Sequence, residues 1–267
     1  MIAATHDSAP LLACRGLTMT FGGLTALDAL DLDVAAGEIL GLIGPNGSGK
    51  TTFFNVLTGL YRPRAGRVEF AGRDITGRAP QEVFRAGIAR TFQRSRLCLP
   101  LTVFDNLMIG NHVRLQRRLA FNVLRRDALR RQVEANVEAS RALVATFNRR
   151  LATRLFDAAS ALDMIDRRRV EICRALVSAP HLLLLDEPSA GMTHGETREL
   201  MDDLLQVREA RAELTIVIIE HEMNVIERMT RRCVVLNYGE KIAEGPFRAV
   251  ASDPRVQEAY LGTAVAA

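Results

Sequence analysis

Between Leu11 and Val34 apolar and polar residues alternate, most regularly through Ala29, Leu30, Asp31, Leu32, Asp33 and Val34. This period of two predicts half-exposed antiparallel strands. The pattern then changes: Glu38 to Gly44 is a compact apolar run closed by a glycine-rich turn, and Lys50 to Leu57 has helical character, giving strand, loop and helix. Arg67 to Ala71 reads as an exposed strand before a turn at Gly72, and Ile88 to Phe92 as a short strand. From Thr102 to Ala159 strand signals vanish. Arg125 to Phe147 spaces its apolar residues at helical intervals among arginines and glutamates, which predicts a helical insertion.

Beyond the insertion, Val170 to Val177 and Gly195 to Ala210 read as helices, and Leu182 to Leu185, Thr215 to Ile219 and Cys233 to Leu236 as buried strands. Strands alternating with helices predict a parallel sheet. A turn at Tyr238, Gly239 and Glu240 leads through the exposed-looking Lys241 to Glu244 into a short helical tail, with Pro246 and Pro254 where helices start. No internal repeat and no Ser- or Gly-rich linker divides the 267 residues. The fold class is α/β.

Composition narrows the classes. At 48% hydrophobic and 25% charged residues the chain has the apolar content for a large core, which excludes a disordered or low-complexity protein. The 35 basic residues are nearly matched by 31 acidic ones, and no aromatic ladder interleaves the arginines between Arg114 and Arg131 or at Arg149, Arg150 and Arg154, so no nucleic-acid partner is expected. Those arginines read as a solvated helix face, or as a basic face toward anionic lipid or a membrane protein. Cys14, Cys98, Cys173 and Cys233 are far apart and fit neither a disulfide framework nor a zinc site, which suits a reducing compartment. Residues 1–10 have no secretory-signal pattern, and no apolar run approaches the ~18 residues of a membrane span.

The chemistry starts at Gly44, Pro45, Asn46, Gly47, Ser48, Gly49, Lys50 and Thr51, which satisfy G-x-x-x-x-G-K-[ST] between an apolar strand and a helix, with Thr52 following. Glycines let backbone N–H groups face phosphate oxygens, the helix N-terminus favours anions, and Lys50 adds a point charge. Thr51 offers a hydroxyl to Mg²⁺. Leu182 to Leu185 then delivers Asp186 and Glu187 at the C-terminal end of a buried strand, where parallel sheets bind ligands. Asp186 suits the metal shell, and Glu187 suits the general base that orients water for attack on a γ-phosphate. His221 follows another buried strand and is placed to hydrogen-bond a γ-phosphate. Gln93, at the edge of the helical insertion, is placed to join a metal and water network. Taken singly, the two acids also read as surface residues and the histidine as structural.

Together these residues resemble the ATP-binding cassette (ABC) family over nearly the whole chain. Phe21 with Gly22 and Gly23 matches the aromatic platform that stacks adenine, Gly44 to Thr51 the Walker A loop, and Gln93 the Q-loop. Asp186 and Glu187 match the Walker B pair, Ser189 to Met192 the D-loop, and His221 the switch histidine. Segments 89–94, 103–107, 168–172, 219–223 and 258–262 are similar to the ATPases of branched-chain amino acid importers; lipopolysaccharide-export and urea-import ATPases are also similar. The resemblance implies a P-loop core with a parallel sheet, an N-terminal antiparallel β element and a helical subdomain inserted at about 94–165. It implies an ATPase domain over 11–250 and a helical tail over 251–267. It also implies ATP and Mg²⁺ as ligands, with Thr51, Gln93 and Asp186 toward the metal and Glu187, His221 and Gln93 in catalysis. The implied partners are a second cassette, integral membrane permease subunits and, indirectly, an external solute-binding protein, at the cytoplasmic face of the inner membrane.

One element departs from the family pattern. The Leu-Ser-x-Gly signature aligns with Leu162, Asp163, Met164 and Ile165, so Asp163 stands at the serine position and Ile165 at the glycine position. An aspartate repels a γ-phosphate, and isoleucine crowds a close backbone approach. This predicts an asymmetric heterodimer in which a different ATPase supplies the intact signature. The competing expectations are that Asp163 or Asp166 is neutralised by Arg167 to Arg169, that the chain is an ATP-binding regulatory subunit, or that it is a non-transport ATPase of the same fold.

Overall fold

The structure, a computed structural model, describes residues 9–93, 96–112 and 126–262. The dense arginines at 114–125, Arg94 and the last five residues of the expected tail lie outside the described residues. The chain forms two compact units: residues up to Arg90 with His181–Glu187 and Glu213 onward, and Thr91–Pro180 with Pro188–Ala212.

The first unit runs β1 (Leu12–Phe21), β2 (Leu24–Val34), β3 (Ile39–Ile43), α1 (Lys50–Leu57), β4 (Ala65–Phe70), β5 (Arg73–Asp74), α2 (Pro80–Ala86) and β6 (Ile88–Arg90). It resumes with β7 (Leu182–Asp186), β8 (Thr215–Ile219), a helix at Met223–Met229, β9 (Arg232–Asn237), β10 (Glu240–Gly245) and helices at Phe247–Ala251 and Pro254–Gly262. β2-β1-β4-β5 form an antiparallel sheet, and β10-β9-β3-β8-β7-β6 a second one, parallel except at the β10 edge. Leu30, Leu32 and Val34 are buried while Asp31 and Asp33 are exposed, as alternation requires. The alternation breaks at Ala29, which takes φ 43° in a bulge that also turns Leu27 inward. β7 and β8 are buried along their whole length because parallel neighbours and packed layers enclose them. Phe53 and Phe54 of α1 join Leu40, Leu42, Leu184 and Val217 in a common core.

The second unit is helical: α3 (Val103–Gly110), α4 (Arg126–Phe147), α5 (Arg149–Thr153), α6 (Met164–Leu176) and α7 (His194–Ala210). Side chains cap several of these helices: Thr102 for α3, Asn148 for α5, Asp163 for α6 and Thr193 for α7. α6 begins six residues before the predicted Val170. Arg169 holds it to α7 by donating to Asp203 (2.8 Å) and Glu199 (2.5 Å), and it also pairs with Asp166 of its own helix (3.0 Å). Burial pushes the Asp203 carboxyl up to about 6, with the Arg169 guanidinium pulling against it. The short helices Pro80–Ala86 and Met223–Met229 have no counterpart in the sequence reading; each is under two full turns, too short for a clear period.

Candidate functional site

In the larger sheet β3 lies between β8 and β9: the chain leaves β3 for the far edge at β6, returns through β7 to β8, and then crosses to β9 on the other side of β3. Such a switch point opens a crevice at the C-terminal strand ends. The loop Gly44 to Gly49 fills that position, joining β3 to α1. Its backbone is possible only with glycine at two points. Gly44 has φ 146° and a Cβ there would lie 2.1 Å from the Leu236 carbonyl oxygen; Gly49 has φ 107° and its Cβ would lie 2.5 Å from that of Ala26. No side chain caps the N-terminus of α1, which leaves its first amide groups available to an anion.

Lys50 is buried and folds over this loop. Its ammonium donates to the carbonyls of Gly44 (2.7 Å) and Pro45 (2.8 Å) and to Ser48 Oγ (3.3 Å). Burial holds its pKa below the ordinary lysine value, while Glu187 and Asp186 pull it the other way. Thr51 is exposed and Thr52 partly buried at the start of α1; Asn46 and Gly47 are exposed at the loop tip, and Pro45 is buried.

Asp186 ends β7, buried, and Arg90 at the end of β6 donates to its Oδ2 at 2.6 Å. Glu187 follows at φ 48°, a left-handed conformation unusual outside glycine, with its N–H bonded to the Ile219 carbonyl (3.0 Å). Strain of this kind gathers at functional positions, where surrounding structure holds it. The bend lets Glu187 Oε1 meet His221 Nε2 at 2.7 Å across the ends of β7 and β8. Phe21, at the end of β1, is exposed and stands edge-on to Tyr61 with ring centroids 5.2 Å apart.

The first unit thus brings together the loop, Lys50, Asp186, Glu187 and His221. Gln93 belongs to the second unit, where it is exposed and its carbonyl accepts from Arg168 at 3.3 Å. Sequence reasoning missed Arg90, Asn55, Tyr61 and Tyr260. The signal for Arg90 was a lone cation in the apolar run Ile88 to Phe92. Tyr260 in the last helix hydrogen-bonds the backbone of Gly44, and its burial pushes its phenol up to about 12. Among the described residues no cluster of three or more His, Cys, Asp or Glu could hold a metal alone. A threonine hydroxyl and one carboxylate are instead the hard oxygen donors that Mg²⁺ takes when substrate phosphates complete its shell, so Thr51 and Asp186 fit that ion.

In the second unit Asp163 is the N-cap of α6. Its Oδ1 accepts from the Asp166 amide at 2.9 Å, while Asp166 pairs with Arg169. Arg167 donates to the carbonyls of Ala159 and Ser160, so the carboxylate of Asp163 is satisfied by the helix terminus. Ile165 is 7% exposed. No helix among the described residues is long and apolar enough to cross a membrane.

A family model described as ABC transporter matches residues 27–190, and one described as Branched-chain amino acid ATP-binding cassette transporter matches residues 240–266. The high-affinity branched-chain amino acid transport ATP-binding protein LivG of Salmonella typhimurium is 41% identical over 258 residues, covering 96% of this chain and all of that protein. BraF of Pseudomonas aeruginosa, with the same description, is 35% identical over 257 residues with the same coverage. Among solved structures, the ADP conformation of MJ1267, an ATP-binding cassette of an ABC transporter, matches with a TM-score of 0.80 at 30% identity, covering 96% of this chain and 100% of that one.

Proposed function

The chain belongs to the ABC transporter family and is an ATPase coupled to transport, and from that premise we propose that it powers the import of branched-chain amino acids. The observation that carries the substrate reading is the 41% identity sustained over the full length of a branched-chain amino acid transport ATPase.

ATP is held by the loop amides and by Lys50, which exchanges its bonds to the Gly44 and Pro45 carbonyls for phosphate oxygens. Phe21 stacks the adenine, braced edge-on by Tyr61. Thr51 and Asp186 would hold Mg²⁺, which when bound would neutralise phosphate charge. Glu187 takes the proton of the attacking water. His221, bonded to that carboxylate at 2.7 Å, fixes its orientation and senses the γ-phosphate. Gln93 keeps the role that the resemblance assigns it, as a sensor toward the permease. The chain works at the cytoplasmic face of the membrane with permease subunits and, through them, an external binding protein.

The second cassette is a different subunit. Asp163 is anchored as a helix cap and Ile165 is buried, which supports an altered signature that cannot complete a partner's nucleotide site. The partner's site therefore turns over poorly, and this chain's own Walker motifs pair with an intact signature. The test is ATP hydrolysis by the chain reconstituted in vesicles with partner ATPase and permease. Activity should rise with leucine-loaded binding protein and vanish in Glu187→Gln. Stimulation by urea or lipopolysaccharide instead would overturn the substrate reading, and full activity of the chain alone would overturn the heterodimer.

A further inference from the structure

Arg90 is a cation buried at the end of a three-residue strand, and its guanidinium reaches into the nucleotide machinery. One guanidinium nitrogen donates to Asp186 Oδ2 (2.6 Å) and the other terminal nitrogen to Asn55 Oδ1 (2.6 Å), while the guanidinium carbon lies 5.3 Å from the Phe54 ring centroid. Arg90 and Asp186 side chains are each only 5% exposed. A buried ion pair is a poor device for stability, because desolvation of both charges offsets their attraction and an apolar pair of similar volume packs as well. What it does provide is fixed orientation: a planar fork with two ends engaged holds both partners in one geometry.

Those partners sit on two elements that matter. Asn55 and Phe54 lie on α1, the helix that begins with Lys50 and Thr51, and Asp186 ends β7. The two oxygen donors assigned to Mg²⁺, Thr51 and Asp186, therefore stand on elements that this one guanidinium ties together. We infer that Arg90 is a positioning residue which sets the Asp186 carboxylate against the α1 helix, so that the carboxylate meets the metal of the metal–nucleotide complex in one orientation. The inference rests on the reading of Asp186 as a metal-shell acid.

The test is nucleotide affinity of the full-length chain, titrated with a fluorescent ATP analogue in EDTA and again in Mg²⁺, together with the electron paramagnetic resonance spectrum of Mn²⁺ bound with nucleotide. Orienting partners of metal ligands are typically worth about 10–100-fold in metal affinity. Arg90→Met should lose about that much of the metal-dependent gain in ATP affinity and broaden the Mn²⁺ signal, with affinity in EDTA within about twofold of the parent. Arg90→Lys keeps the charge but cannot engage Asn55 and Asp186 together, so it should fall between the two. Asn55→Leu leaves the ion pair and cuts the tie to α1, and should move the metal-dependent gain in the same direction. If Arg90→Met does not fold, the last two variants decide the matter.

An unchanged metal-dependent gain in these variants, or a fall in EDTA and Mg²⁺ affinities together with the melting temperature, would overturn the inference. Asp186→Asn separates it from the reading beneath it. If that variant keeps the metal-dependent gain, the metal-shell assignment fails; if it loses the gain while the Arg90 variants keep it, only the role of Arg90 fails.

Discussion

Restoring the family signature residues at positions 163 and 165 looks like one experiment in the sequence and is two in the structure. Asp163 caps α6 through its side chain. Serine and aspartate are comparable N-caps, and the charge adds about 0.3–1 kcal/mol at a helix N-terminus, so Asp163→Ser should cost under about 1 kcal/mol. Ile165 is in the core of its unit at 7% exposure. Truncating a buried isoleucine to alanine costs about 2–5 kcal/mol, and glycine in a helix about 1 kcal/mol more, so Ile165→Gly should cost roughly 3–6 kcal/mol. At about 2–4 °C per kcal/mol for a chain of this size, that is a fall in Tm of at least about 6 °C. Thermal melts of the two single variants test this directly; equal melting temperatures would refute the burial argument. The same Asp163→Ser chain, being stable, is the clean probe of the altered signature. Two unit charges about 4 Å apart repel by roughly 4 kcal/mol at an effective dielectric of 20, and relief of even a third of that is about tenfold in rate. Turnover at the partner's site, read in a reconstituted complex in which this chain's own site is silenced by Glu187→Gln, should rise by that order, and an unchanged rate there would refute the repulsion on which the heterodimer rests.

Two further outcomes follow from burial. Cys98 is exposed whereas Cys14, Cys173 and Cys233 are buried, with burial pushing the Cys233 thiol up to about 11 and raising the other two further. One thiol per chain should therefore react fast with Ellman's reagent at pH 8 and the other three only on denaturation; a fast phase of two or more would contradict the packing. Asp203, pushed up to about 6 from 3.8, holds its proton more tightly folded than unfolded. Its contribution is thus fully favourable below about pH 4 and is lost as pH rises through 6, by up to about 3 kcal/mol. The stability difference between the parent and Asp203→Asn, followed by urea melts from pH 4 to 7, should shift against the parent as pH rises, and a shift of the opposite sign would refute the assignment.

Much of this protein was legible before any fold was built. The phosphate loop is contiguous, so its glycines and Lys50 can be read in order, and the positive φ of Gly44 and Gly49 is what such a motif demands. The alternation ending at Val34 and the unbroken apolar runs at 182–185 and 215–219 are local consequences of one-sided and two-sided burial, and they gave the antiparallel and parallel sheets. Asp186, Glu187 and His221 could be named because each ends such a run. Tertiary structure alone decided the rest, because it depends on which distant residues meet. Glu187 reaches His221 through a left-handed backbone that no residue pattern announces. Arg90 meets Asp186 from 96 residues away, by the parallel pairing of β6 with β7. The signature substitutions read as a charge and a bulk added to a surface, yet the fold turns the charge into a helix cap and takes the isoleucine into the core. Spacing along a chain reports the period of its elements; only packing reports which side chains a buried charge or a buried methyl group must answer to.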